Sequence, residues 1–156
     1  MDYATENILS SISSIVSSSD SRAQKAKRIA DTIKEFGHYR WVGVYDVDPE
    51  LVSAIAWSGP AAPAYPVFPV TKGLTASAIR EKATVVVGDV SKDPRYLTCQ
   101  GTTLSEIIVP VPSTRDGNVI GTIDVESEKP NAFADRDRQI LEQCARAALP
   151  LWFALR

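Results

Sequence analysis

A thiol and an acid seven positions apart give this sequence its first hint of chemistry: Cys99 in the loop YLTCQGTTLSE, and Glu106, which opens the apolar run that follows. Such a pair suits nucleophilic or redox work, in which sulfur attacks and the acid gives or takes a proton. It suits equally well an ordinary loop of a ligand-binding domain. A reactive cysteine needs a neighbour that lowers its pKa. Here only Arg95 is at hand, and it would act only if the loop folds back. Cys144 falls on the apolar side of a helical pattern and reads as a small core residue. Two cysteines make no disulfide framework and point to a reducing, cytoplasmic setting. The single histidine, His38, cannot build a histidine-rich metal centre. Neither a metal nor a cofactor is expected.

The chain has 156 residues, enough for one domain with a real core. Its 44% hydrophobic and 23% charged residues are those of a soluble globular protein, and a net charge of -2 leaves no footprint for nucleic acid. No apolar run approaches the roughly 20 residues of a membrane span. The first residues, MDYATENILSS, carry acids where a secretory leader would carry basic residues.

Positioning falls to elements that can be read from periodicity. Residues 5–36 form two helices. Ile8, Leu9, Ile12, Ile15 and Val16 line one face of the first; Asp20 or Ser21 caps the second, which turns Ala26, Ile29, Ala30, Ile33 and Phe36 inward. Gly37 is the expected helix stop. The period then changes to two, giving strands at 41–47 and 51–57. Four prolines in residues 59–69 rule out a central strand and imply an ordered loop. A short helix over 74–82, an apolar strand over 84–87 and a turn or short helix over 89–97 follow. Residues 105–111 and 119–126 make a hairpin closed near Asp116-Gly117. A last helix begins near Asp135, with Ile140, Leu141, Cys144 and Ala148 on one face, and Pro150 kinks or ends it. The fold class is therefore α+β, a mostly antiparallel sheet with terminal helices on one face. The segments 59–82 and 88–104 roof the other face, a natural place for a small-molecule pocket.

The stretches WVGVYDV (41–47), GDVSKDPRYL (88–97), SEIIVPV (105–111) and VIGTIDVESEKPNAF (119–133), with LEQCA (141–145) in the last helix, resemble the GAF domain family. The resemblance runs from about residue 20 to the end. It implies a PAS-related antiparallel sheet of about six strands with a ligand pocket in front, and one domain over 1–156: helices in 1–36, sheet and pocket loops in 41–127, helix and tail in 134–156. Most relatives with these motifs are sensory modules that bind small ligands. A smaller branch consists of free-standing domains that reduce free methionine-(R)-sulfoxide. With about 25 residues beyond the last strand and no output domain, this chain is expected to stand alone.

The reductase branch resembles this chain at particular positions. Cys99 stands where that branch has its catalytic cysteine, Glu106 lies in the SE motif, and Asp124 and Glu126 match its paired acids, with glutamate for the usual second aspartate. Asp124 and Glu126 project to one face because the strand period is two. Trp41 and Tyr45 match aromatic positions of the branch. One departure stands out: the KG-x-C motif of the resolving cysteine is here Lys72-Gly73-Leu74-Thr75. Threonine cannot form a disulfide.

Two functions follow. The first is a sensory or regulatory domain binding a small molecule through Trp41, Tyr45, Trp57, Tyr65, Tyr96, Cys99, Glu106, Asp124 and Glu126; Thr75 favours it. The second is a reductase with Cys99 as nucleophile and Glu106, Asp124 and Glu126 as acids. The plain alternatives are a silent loop cysteine, acids on a solvated strand face, and aromatics that are simply core. Tyr65 and Phe68 either close the pocket or anchor the proline-rich loop. The apolar stripe of the first helix and the tail LPLWFAL exceed what one sheet face needs, so a homodimer through the terminal helices is expected.

Overall fold

The computed structural model describes residues 2–153; the last residues of the apolar tail lie outside them. Helix α1 (Tyr3–Ser17) starts where Asp2 accepts the Thr5 N–H at 2.8 Å, and it buries Ile8, Ile12 and Ile15. Helix α2 (Arg22–Gly37) opens on a capping box: Ser21 accepts the Gln24 N–H while the Gln24 side chain accepts the Ser21 N–H. The expected stop at Gly37 lies one residue on. His38 takes the left-handed conformation (φ 53°), whereas Gly37 stays helical, where a Cβ would run into the Tyr39 ring.

Six strands form one antiparallel sheet, ordered β3-β2-β1-β6-β5-β4. They are β1 (Trp41–Val47), β2 (Leu51–Ser58), β3 (Val67–Pro69), β4 (Val85–Val87), β5 (Ser105–Pro112) and β6 (Val119–Ser127). The extra strand beyond the five read from periodicity is β3, inside the proline-rich segment. It is three residues at the sheet edge, where prolines are tolerated because one side of the strand needs no donors. Helix α3 (Gly73–Glu81) and a turn of 3-10 helix at Val90–Lys92 cross the front, while α4 (Asp135–Ala148) and the short α5 (Pro150–Phe153) follow the sheet. Pro150 ends α4 and opens α5, as its missing N–H allows.

The alternation along each strand splits the core in two. Val42, Val44, Ile107, Val109, Ile123 and Val125 face the helices, where they meet Ile12, Ile29, Ile33, Leu141 and Cys144. On the other face lie Trp41, Tyr45 and Val52 beside Leu74, Ala78, Val90 and Ile108 under the loops. A bulge at Ile55 (Val44 opposes Ala56, Tyr45 opposes Ala54) turns Ala54 and Val52 to the front face. Much of the surplus apolar surface is used within the subunit: Leu151 and Trp152 are buried, the Trp152 indole N–H donating to the Tyr45 carbonyl at 3.1 Å. Tyr3 and Phe153 remain exposed on the terminal helices. Among the described residues no helix is long and apolar enough to cross a membrane.

Candidate functional site

The register of β5 and β6 concentrates acids on the front face. Glu106 lies directly opposite Glu126, and Ile108 opposite Asp124, so three carboxyls share one patch. Like charges placed opposite each other cost stability in a sheet, yet Glu106, Asp124 and Glu126 are 4%, 6% and 0% exposed. On the other flank β1 sets Gly43 beside Asp124. Trp41 and Tyr45 close over that glycine, leaving no room for a Cβ.

Cys99 comes to this patch from the roof. Its loop is tied to the proline-rich segment: Ala64 N–H donates to the Cys99 carbonyl (3.0 Å), and Gln100 Nε2 to the Ala62 carbonyl (3.1 Å). The indole N–H of Trp41, itself fully buried, donates to the Ala61 carbonyl from beneath. Arg95 does not reach the thiol. Its guanidinium grips Asp93 and donates to Ser77 Oγ at 3.0 Å, pinning the DPRYL turn to α3. The result is that Cys99 Sγ and carboxylate oxygens of Asp124 and Glu126 all lie within 4.8 Å of one another.

Beside them is a cavity of about 20 Å³, room for about one water, lined by Tyr45, Phe68, Leu74, Thr75, Cys99, Glu106 and Asp124, with Tyr65 at its exposed rim. No lysine, arginine or histidine is among the described residues that line it. A roomier groove of about 500 Å³ between the end of β5 and α4 carries no such cluster of acids and thiol. Trp41 and Trp57 sit in the core under the roof rather than on the cavity wall, and Tyr96 reaches the cluster from the roof, its hydroxyl 3.5 Å from Glu126. Thr103 was not singled out by sequence. It is buried and donates to Glu126 Oε1 at 2.5 Å. Nothing in a loop threonine three positions before an acid announces that role.

The electrostatics run in one direction. Burial pushes the Glu106 carboxyl well above the usual carboxylate range, and the charges of Asp124 and Glu126 push it further. Asp124 is raised by burial and then by Glu126. Glu126 is raised by burial too, but bonds from Cys99, Thr103 and Glu106 oppose the shift. Glu106 is therefore the proton holder, and Glu126 the acceptor. The Cys99 thiol is pushed up by burial first and then by the Asp124 and Glu126 charges, so it is kept protonated, with Glu126 receiving its hydrogen. Outside the acid and thiol cluster itself, Asp124 Oδ1 and Glu126 Oε2 have no hydrogen-bond partner. Cys144 lies on the helix side of the sheet, its thiol pushed up to about 12 by burial, and cannot meet Cys99.

A family model described as GAF domain matches residues 19–150. The chain is 31% identical over 139 residues to GAF domain-containing protein A of Dictyostelium discoideum, covering 88% of this chain and 85% of that protein. It is 39% identical over 75 residues to free methionine-R-sulfoxide reductase of Saccharomyces cerevisiae, an alignment covering 48% of this chain and 41% of the yeast protein. Among solved structures, free methionine-R-sulfoxide reductase from Neisseria meningitidis in complex with its substrate superposes with a TM-score of 0.85 at 30% identity, over 99% of this chain and 92% of that one.

Proposed function

The chain belongs to the GAF domain family, and from that premise we propose that it reduces free methionine-(R)-sulfoxide with Cys99 as its nucleophile. One observation carries the reading: the Cys99 sulfur converges with two buried carboxylates beside a cavity. A silent loop cysteine has no need of that company. The likeness to the yeast and Neisseria reductases supports the same activity.

The residues divide the work by their protonation. As sulfur attacks the sulfoxide sulfur, Glu126 takes the thiol proton it already accepts. Glu106, the carboxyl held neutral, donates to the sulfoxide oxygen. Oxygen passes to the cysteine: thiol plus sulfoxide gives sulfenic acid plus methionine. Two external thiols then return the sulfenic acid to thiol, releasing water and a disulfide. Because Thr75 lines the cavity where a resolving cysteine would stand, the reductant has to come from outside. Asp124, facing a cavity without cationic side chains, suits the substrate ammonium. A methionine-sized ligand exceeds the free space many times over, so the roof opens to admit it.

The test is turnover of free methionine-(R)-sulfoxide with dithiothreitol, read as methionine formed. Wild type and Cys144→Ser are expected to turn over and Cys99→Ser to be inactive; an inactive wild type sinks the reading. Sensory binding of a small molecule is the second reading. It is favoured by Thr75 and by a thiol held protonated, and an inactive wild type would leave it in possession.

A further inference from the structure

We propose that Cys99, Asp124 and Glu126 form a binding site for one soft divalent cation of the zinc class, with the cavity open on its fourth side. The donors come from two elements that the fold presses together. Asp124 and Glu126 stand two positions apart on β6 and so share a face, while Cys99 hangs over them from the roof. Their ligand atoms already lie within 4.8 Å of one another. Tetrahedral zinc, with sulfur at about 2.3 Å and oxygen at about 2.0–2.2 Å, needs donors roughly 3.5 Å apart. The contraction needed is at most about 1.3 Å.

A cluster of acids alone would not make a site. Here two of the donors also carry unanswered atoms: outside the cluster, Asp124 Oδ1 and Glu126 Oε2 have no hydrogen-bond partner, in residues only 6% and 0% exposed. Unsatisfied buried carboxylate oxygens are costly, and a cation satisfies both at once. The outer contacts fit as well. Thr103 holds Glu126 Oε1 at 2.5 Å and Tyr96 stands 3.5 Å from the same atom, leaving Oε2 free to ligate. One thiolate and two carboxylates carry three negative charges against two positive, in a site that now crowds acids together.

The donor set chooses the metal. A thiolate selects zinc or cadmium, whereas calcium asks for six to eight oxygens and magnesium for an octahedron of them. The cavity supplies the approach and a fourth position for water. One consequence rests on the reductase reading: a sulfur bound to the cation cannot attack a sulfoxide, so zinc would inhibit reversibly.

The probe is cadmium, titrated into the full chain with a phosphine as reductant, which does not compete as a thiol would. Binding is followed by calorimetry and by the sulfur-to-cadmium charge-transfer absorption in the ultraviolet. One equivalent is expected, with the absorption lost in Cys99→Ser and kept in Cys144→Ser. Asp124→Asn and Glu126→Gln, both checked for native circular dichroism, are each expected to weaken binding about tenfold or more. No binding, an absorption that survives Cys99→Ser, or unchanged affinity in both carboxamide variants overturns the proposal. The cadmium signal does not depend on turnover. Binding without turnover leaves the cation site standing and removes the reductase; turnover without binding does the reverse.

Discussion

Replacing Glu106 by glutamine tests the charge assignment at the centre of the site. The ordinary value for a glutamate is 4.5, and burial together with the Asp124 and Glu126 charges raises Glu106 well above it. The folded chain thus keeps a proton that the unfolded chain releases once the pH passes about 4.5. With more protons bound in the native state, stability falls as pH rises, by roughly 1.4 kcal/mol per pH unit for one fully retained proton. Between pH 5 and pH 7 that sets an upper limit of roughly 3 kcal/mol. Glu106→Gln keeps the shape and a donor but removes the titration. The difference in stability between variant and wild type is therefore expected to grow in the variant's favour with rising pH, by up to that amount across those two units. Urea unfolding at pH 5, 6 and 7 with unchanged m-values measures it. Asp124 is also raised, but it remains in both proteins. Asp2, held low by the Thr5 N–H and by Arg136, titrates below the window and cancels. Parallel pH profiles for the two proteins would refute the claim that Glu106 holds the proton.

Thr75→Cys restores a thiol to the wall of the cavity that Cys99 shares. Exposure to free methionine-(R)-sulfoxide without reductant is expected to cost this variant two titratable thiols, whereas in wild type the sulfenic acid consumes one. Cys144→Ser places a hydroxyl in an apolar, fully buried setting; thermal or urea melts should show a loss of about 1 kcal/mol, with turnover unchanged. Trp152→Ala removes a buried ring and its bond to the Tyr45 carbonyl, a truncation that costs about 3–5 kcal/mol in a core, to be read from denaturant midpoints.

Periodicity revealed the parts of this molecule whose side chains obey a rule. The extended apolar runs of 41–47, 105–111 and 119–126 marked the central strands, which are buried on both faces, and the stripe Ile8–Ile12–Ile15 marked α1, which buries one. Strand β3 was hidden because three residues among prolines are too few to show alternation. Its pairing with β2 is a tertiary fact. The stop at His38 was hidden for a similar reason: what makes Gly37 necessary is the Tyr39 ring, not its own dihedral angles.

The site divides along the same line. Asp124 and Glu126 were legible as a pair because they share a strand, and Glu106 was legible as a nearby acid. That Glu106 faces Glu126 depends on the register of β5 against β6, which no single strand records. The position of Cys99 was less legible still, since a loop has no period and its path is set by bonds to Ala64 and by the clamp of Arg95 on Asp93 and Ser77. Thr75 weighed toward simple binding as long as the missing disulfide was the sharpest feature in view. The geometry shifts the weight, because recycling can be supplied by a thiol in solution whereas an acid cluster around sulfur cannot. On the proposed reductase reading, a protonated thiol that hands its hydrogen to Glu126, beside a Glu106 kept neutral by its neighbours, would serve both proton transfers of sulfoxide reduction. On that reading the depressed thiol pKa sought in Arg95 is unnecessary, because the carboxylate next to the sulfur would act as its base.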